Sequence, residues 1–184
     1  MTEEKTKELY DLFKEAEICI KETEYTNVEG FYLPAVNELR YSLKHLIDYL
    51  KNQNNDDFVE CKAHISRAML DALEVRVVFV LEKIRRFRRL YTFVSIPKVI
   101  NNWSDILNEL EDTRLLLSLE GDESRATKLK NAIDKLEKIL RTTENAKPEL
   151  NKILFSGFFK LLGGIIAFLA SLIVIYNFIL CCII

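Results

Sequence analysis

The chain has 184 residues, with 26 Lys and Arg against 28 Asp and Glu, for a formal charge of −2. That balance excludes a protein whose whole surface is built for nucleic acid and leaves only a local basic patch for such a role. Cys19, Cys61, Cys181 and Cys182 show neither CxxC pairing nor a histidine at ligand spacing, so no metal site, cofactor or disulfide framework is expected.

Apolar residues recur at helical spacing, and the short alternating runs of strands are absent, so the chain reads as all-α. A first helix is expected over about Glu3 to Thr23, with Thr2 as N-cap and Leu9, Leu12, Phe13, Ala16 and Ile20 as its buried stripe. Glu29-Gly30 breaks the pattern. The second helix runs from near Pro34 to about Lys51, with Leu39, Leu43, Leu46, Ile47 and Leu50 on its apolar side. A polar loop, Asn52 to Asp57, supplies an N-cap for a long helix from Phe58 towards Tyr91, and Pro97 closes that region.

Two more helices, about Asn102 to Leu119 and Glu123 to Thr142, flank the turn Glu120-Gly121-Asp122. Leu107, Leu110 and Leu117, then Leu129, Ile133, Leu136 and Leu140, sit at near-heptad positions that suit a helical hairpin over about 102–142 or a coiled-coil arm. Thr143 to Pro148 reads as a hinge, because proline disfavours one continuous rod. Short connections between long helices favour an antiparallel bundle, giving a helical domain over 1–150 and a linker with a membrane anchor over 151–184.

From Leu161 to Ile184 no residue is charged. Two dozen helical residues extend about 36 Å, enough to cross a hydrocarbon core of about 30 Å with some tilt. Lys147, Lys152 and Lys160 precede the run and no charge follows it, so the positive-inside rule places the bundle in the cytoplasm and the span in the inner (cytoplasmic) membrane, inserted as a tail anchor. At about 100° per residue, Gly163, Ala167, Ala170, Val174, Asn177 and Cys181 share one face. Small residues permit close helix approach in lipid and Asn177 prefers a partner or water to acyl chains, so this face is expected to meet another copy in a homo-oligomer or to line a pore.

Three soluble features can carry chemistry. Lys83-Ile84-Arg85-Arg86-Phe87-Arg88-Arg89-Leu90-Tyr91 is the densest basic run, and its arginine forks with neighbouring aromatics suit RNA, anionic lipid or an acidic partner as well as plain solvation. Glu60, His64, Arg67 and Asp71 fall near one helix face and read as a polar network. Arg40 and His45 form Arg-x4-His, residue types that suit metal-independent phosphodiester cleavage, but five helical positions set the two side chains about 140° apart.

The Arg40 and His45 pattern resembles the HEPN superfamily, helical-bundle nucleases with an R-x4-6-H motif and often a composite site across a dimer interface. Tyr41 departs from it, standing where catalytic members usually carry Asn, Asp or His. That departure implies a degenerate site serving assembly, with a ribonuclease as the alternative. An HEPN-like bundle on a single span further resembles small membrane accessory proteins of RNA-targeting type VI-B CRISPR systems. The resemblance implies an antiviral role: an oligomeric pore that depolarises the membrane in concert with an RNA-guided CRISPR effector. A non-catalytic tail-anchored adaptor is the third reading.

Overall fold

A computed structural model describes residues 1–26, 33–118 and 124–183, apart from the side chains of 26, 116, 118 and 175–183. Its elements are α1 (Glu3–Thr26), α2 (Leu33–Asn52), α3 (Asn55–Leu90), a 3-10 turn at Ile96–Lys98, α4 (Trp103–Ser118) and α5 (Arg125–Ile183). Among the described residues there is no strand. The expected breaks at Glu29-Gly30 and Glu120-Gly121-Asp122 lie outside the described residues.

Local chemistry sets the helix ends. The Thr2 carbonyl accepts from the Thr6 amide at 3.0 Å and starts α1. Gln53 takes a left-handed φ of 53° and closes α2. Asn54 then caps α3, its Oδ1 accepting from the Asp56 amide at 3.1 Å. Asp56 and Asp57 in the first turn and Arg88 and Arg89 in the last complement the α3 dipole.

The 36-residue α3 is the central element, and α1, α2 and α5 pack around it. Its buried stripe runs from Phe58 through Cys61, Ile65 and Leu73 to Ile84 and Phe87. Ala16 of α1, Ala35 of α2 and Ala68 and Ala72 of α3 are fully buried, so backbones approach closely without large side chains between them. There the Thr23 hydroxyl of α1 donates to the Ala72 carbonyl at 3.0 Å. Arg76 of α3 ties the remaining layers, donating from Nε to Glu137 of α5 at 3.0 Å and pairing with Glu22 of α1.

Three expectations are corrected. The apolar side of α2 packs only in part: Leu39 and Leu46 are half-buried against the core, but Leu43, Ile47 and Leu50 are exposed, and Ala35, Ser42 and Tyr49 are buried instead. Tyr49 wins the core position because its ring meets Phe58 of α3 at 5.3 Å, while Ser42 satisfies its hydroxyl on the Leu39 carbonyl at 2.8 Å. Phe13 on α1 is likewise exposed. Second, of the two forms expected for α4 and α5, the separate coiled-coil arm is not found. α4 does pack on α5, but Leu129, Ile133, Leu136 and Ile139 of α5 are buried in the bundle itself.

Third, no hinge interrupts 143–148. α5 continues for 59 residues through Pro148, because that residue lies on the exposed side, where water can serve the carbonyl of Glu144 that a proline cannot reach. Thr143, Ala146 and Leu150 on the opposite side are buried and hold the helix on course, and Leu150 is the last buried residue among those described. Beyond it α5 carries a segment long and apolar enough to cross a membrane, with a mean hydropathy of 2.2 in its most apolar window and no residue of that window buried. A core helix of the same composition would be covered by its own chain.

Candidate functional site

The chain's two histidines, one on α2 and one on α3, come together. The rings of His45 and His64 stack with centroids 5.3 Å apart and planes 17° from parallel. Each turns Nδ1 to a carboxylate: His45 lies 3.2 Å from Asp57, and His64 lies 2.8 Å from Glu38. In its neutral form His45 donates from Nδ1 to Asp57, whereas His64 Nδ1 faces both the Glu38 carboxylate and the Arg67 guanidinium. The Tyr41 ring stands 5.6 Å from His64 and extends the aromatic stack.

Arg67 adds a guanidinium, with Nη1 3.3 Å from His64 Nδ1 and Nη2 3.9 Å from Glu60. The polar face of Glu60, His64 and Arg67 is thus assembled. Asp71, one turn further along α3, has its carboxyl raised above the usual range by burial, with Glu38 and Glu74 adding to the rise. Among the described residues no group of three or more His, Cys, Asp or Glu could hold a metal ion. What the cluster offers is acid–base chemistry beside a cation.

Arg40 does not join it within one chain. Its Nη1 donates to Asn37 Oδ1 at 3.0 Å, and the side chain lines an apolar crevice of about 570 Å³ between α1 and α2, beside Tyr10, Leu39 and Leu43. The angular separation of Arg40 and His45 on α2 is realised as two different neighbourhoods. Arg67 is the arginine that approaches a histidine. Glu38 and Asp57 have no signal in the sequence as histidine partners, because their pairing depends on how α2 lies across α3.

The basic run closes α3 at the far end of the bundle from its N-cap. Arg85, Arg86, Arg88 and Arg89 are all exposed. Glu82 pairs with Arg89 and lies 3.9 Å from Arg85. Arg86 and Arg88 make no ion pair among the described residues. Arg85, Arg88 and Arg89 line a cavity of about 620 Å³, together with Thr92, Ser95 and Trp103, and no carboxylate lines it. Tyr91 anchors the end of α3 to α5, its hydroxyl donating to Asn151 Oδ1 at 2.6 Å, and burial pushes its phenol pKa up.

On α5, Gly163, Ala167 and Ala170 are exposed, and a Cβ built at Gly163 would meet nothing within 4 Å. The lack of a side chain there serves no contact inside this chain. The Ser171 hydroxyl donates to the Ala167 carbonyl at 2.9 Å, so that polar group is satisfied within its own helix. The side chain of Asn177 lies outside the described residues. Comparison with known protein families, with curated proteins and with solved structures finds no match.

Proposed function

We propose that this protein is anchored in a membrane by the charge-free part of α5, with its bundle in the cytoplasm, and acts there as a homo-oligomeric, membrane-perturbing effector. The continuity of α5 is the observation that carries the reading. One helix is both a core element of the bundle through Leu129, Leu136 and Leu150 and the apolar segment beyond Leu161, so a twist or shift imposed on the bundle by self-association is transmitted to the span without a flexible joint. The exposed small residues on the span supply a face for close approach between copies. The antiviral context, in concert with an RNA-guided effector, comes from the resemblance and is part of the proposal.

The test is leakage of an ion or dye from liposomes carrying the purified full chain. Gly163→Leu and Asn177→Leu are expected to lower leakage and oligomer size, whereas Ile175→Leu is expected to change neither. Equal leakage in all three variants and the wild type would turn the balance to a non-catalytic adaptor.

A membrane-tethered ribonuclease is the second reading, favoured by one observation: two carboxylate-oriented imidazoles stacked beside Arg67. The same preparations decide it. RNA cleavage lost in both His45→Ala and His64→Ala, with assembly unchanged, would support turnover; an inactive wild type would leave the cluster to packing between α2 and α3.

A further inference from the structure

We propose that the arginine-lined cavity at the end of α3 binds the phosphate of an anionic phospholipid, with an acyl chain of the same lipid in the apolar crevice beside it. The proposal rests on the membrane reading of α5. It chooses lipid over the other partners of the basic run on grounds of position.

The hydrogen bond from Tyr91 to Asn151 fixes the level of the cavity along α5. Leu161, where the charge-free run begins, lies ten residues on, about 15 Å further along the helix axis. The headgroup layer occupies about 5–8 Å on each side of the hydrocarbon, so the level of Tyr91 lies about 7–10 Å outside it, roughly the length of an extended arginine side chain. The chain that follows α3 then closes the remaining distance. Phe93 and Val94 line a crevice of about 350 Å³ with Ile153, Leu154, Phe158 and Leu161, already at the start of the apolar run.

The two cavities share Val94 as a common wall. The first carries three guanidinium groups and hydroxyl-bearing side chains beside Ile96, Pro97 and Trp103, and the second is lined by apolar side chains and Gly157, in the order that a phospholipid standing in the leaflet presents phosphate and chain. Phe93 is 96% exposed, which in water would leave a whole aromatic face unburied, and at this level it enters the acyl boundary instead. Lys152 and Lys160 add cations on the α5 side. Arg88 is without an acidic partner among the described residues, and Arg85 has Glu82 only at 3.9 Å, so both forks are available to a phosphodiester. RNA would have to approach the same arginines edge-on to a membrane whose anionic surface repels it.

Trp103 lines the arginine cavity and is the chain's only tryptophan, so its fluorescence reports on this site alone. The full chain is reconstituted into phosphatidylcholine vesicles containing either phosphatidylglycerol or phosphatidylcholine brominated near the top of the acyl chain, at equal mole fraction. Quenching of Trp103 by the anionic brominated lipid is expected to exceed quenching by the neutral one by at least about twofold. The triple variant Arg85→Gln, Arg88→Gln, Arg89→Gln is expected to erase that excess, and the corresponding triple lysine variant to retain only part of it because the ammonium lacks the fork. All three side chains are on the surface, and unchanged helix content by circular dichroism confirms that the variants fold.

Equal quenching by the two lipids in the wild type would overturn the site. So would an excess that is abolished by inorganic phosphate, which marks a free-phosphate site, or by single-stranded RNA, which marks a nucleic-acid site. Resistance of the same vesicles to alkaline extraction is scored separately: retained protein without lipid selectivity sinks the headgroup site alone, whereas extracted protein sinks the membrane reading as well.

Discussion

Arginines at two mid-span positions, Leu169→Arg with Ile173→Arg, are expected to drive the protein out of the membrane fraction while leaving the bundle folded. The magnitudes are close enough to decide it. Residues 161–184 include 15 Leu, Ile, Val and Phe, which together favour insertion by about 5–9 kcal/mol, and two arginines near the centre cost about 5–7 kcal/mol. The two sites lie four residues apart on one face, so a single tilt cannot bring both to the same interface. Neither residue contributes to the bundle core, since both are exposed and lie well beyond Leu150. Fractionation of the variant beside the wild type checks this, with a lysine pair at the interfacial positions Ser156 and Phe159 as the control that snorkels and stays inserted.

Leu136→Ala is expected to be among the most damaging single changes in the bundle that leave every charge in place. Leu136 is fully buried on the part of α5 that packs in the core. Removing its side chain there costs the transfer term and leaves a cavity, together about 3–4 kcal/mol, a large share of the about 5–15 kcal/mol that holds a domain together. For a domain of about 150 residues this lowers Tm by about 6–16 °C. Leu43→Ala on α2 is the informative partner measurement. The sequence pattern reads Leu43 as core, but it is 56% exposed, and its truncation is expected to cost under about 1 kcal/mol. Thermal melts of the two variants in one detergent compare them directly.

Helices were legible in the sequence because their periodicity and caps are local, and Thr2 and the uncharged run after Leu161 act within a turn or two of themselves; the α3 cap falls at Asn54, three residues before the expected end of its loop at Asp57. The face of α2 was legible only at Leu39 and Leu46, which pack against the core. Leu43, Ile47 and Leu50 form as regular a stripe as any core helix, but Tyr49 packs on Phe58 across helices, and no pattern within α2 contains that partner. Pro148 misled for a related reason: a proline breaks a helix when its turn is unsupported, and here Thr143, Ala146 and Leu150 support it from the buried side.

The site divides the same way. The roughly 140° between Arg40 and His45 follows from helical geometry, and the two side chains do occupy different neighbourhoods. The network of His64 with Arg67 was equally readable, being intrahelical. The stacking of His45 on His64 and the carboxylates of Glu38 and Asp57 beneath them required the α2–α3 packing. So did the conjunction of Arg88 with Trp103 and of Phe93 with Leu161, since the segment between α3 and α4 has no periodicity from which its path could be read.

Alkaline carbonate extraction of membranes containing the intact chain tests the central claim most directly, because high pH strips proteins held by charge or by soluble partners and leaves those held by a buried apolar span. The protein is expected to stay in the membrane pellet, since α5 beyond Leu161 is charge-free and none of its described residues through Val174 is buried by its own chain. Quantitative release into the supernatant would contradict it.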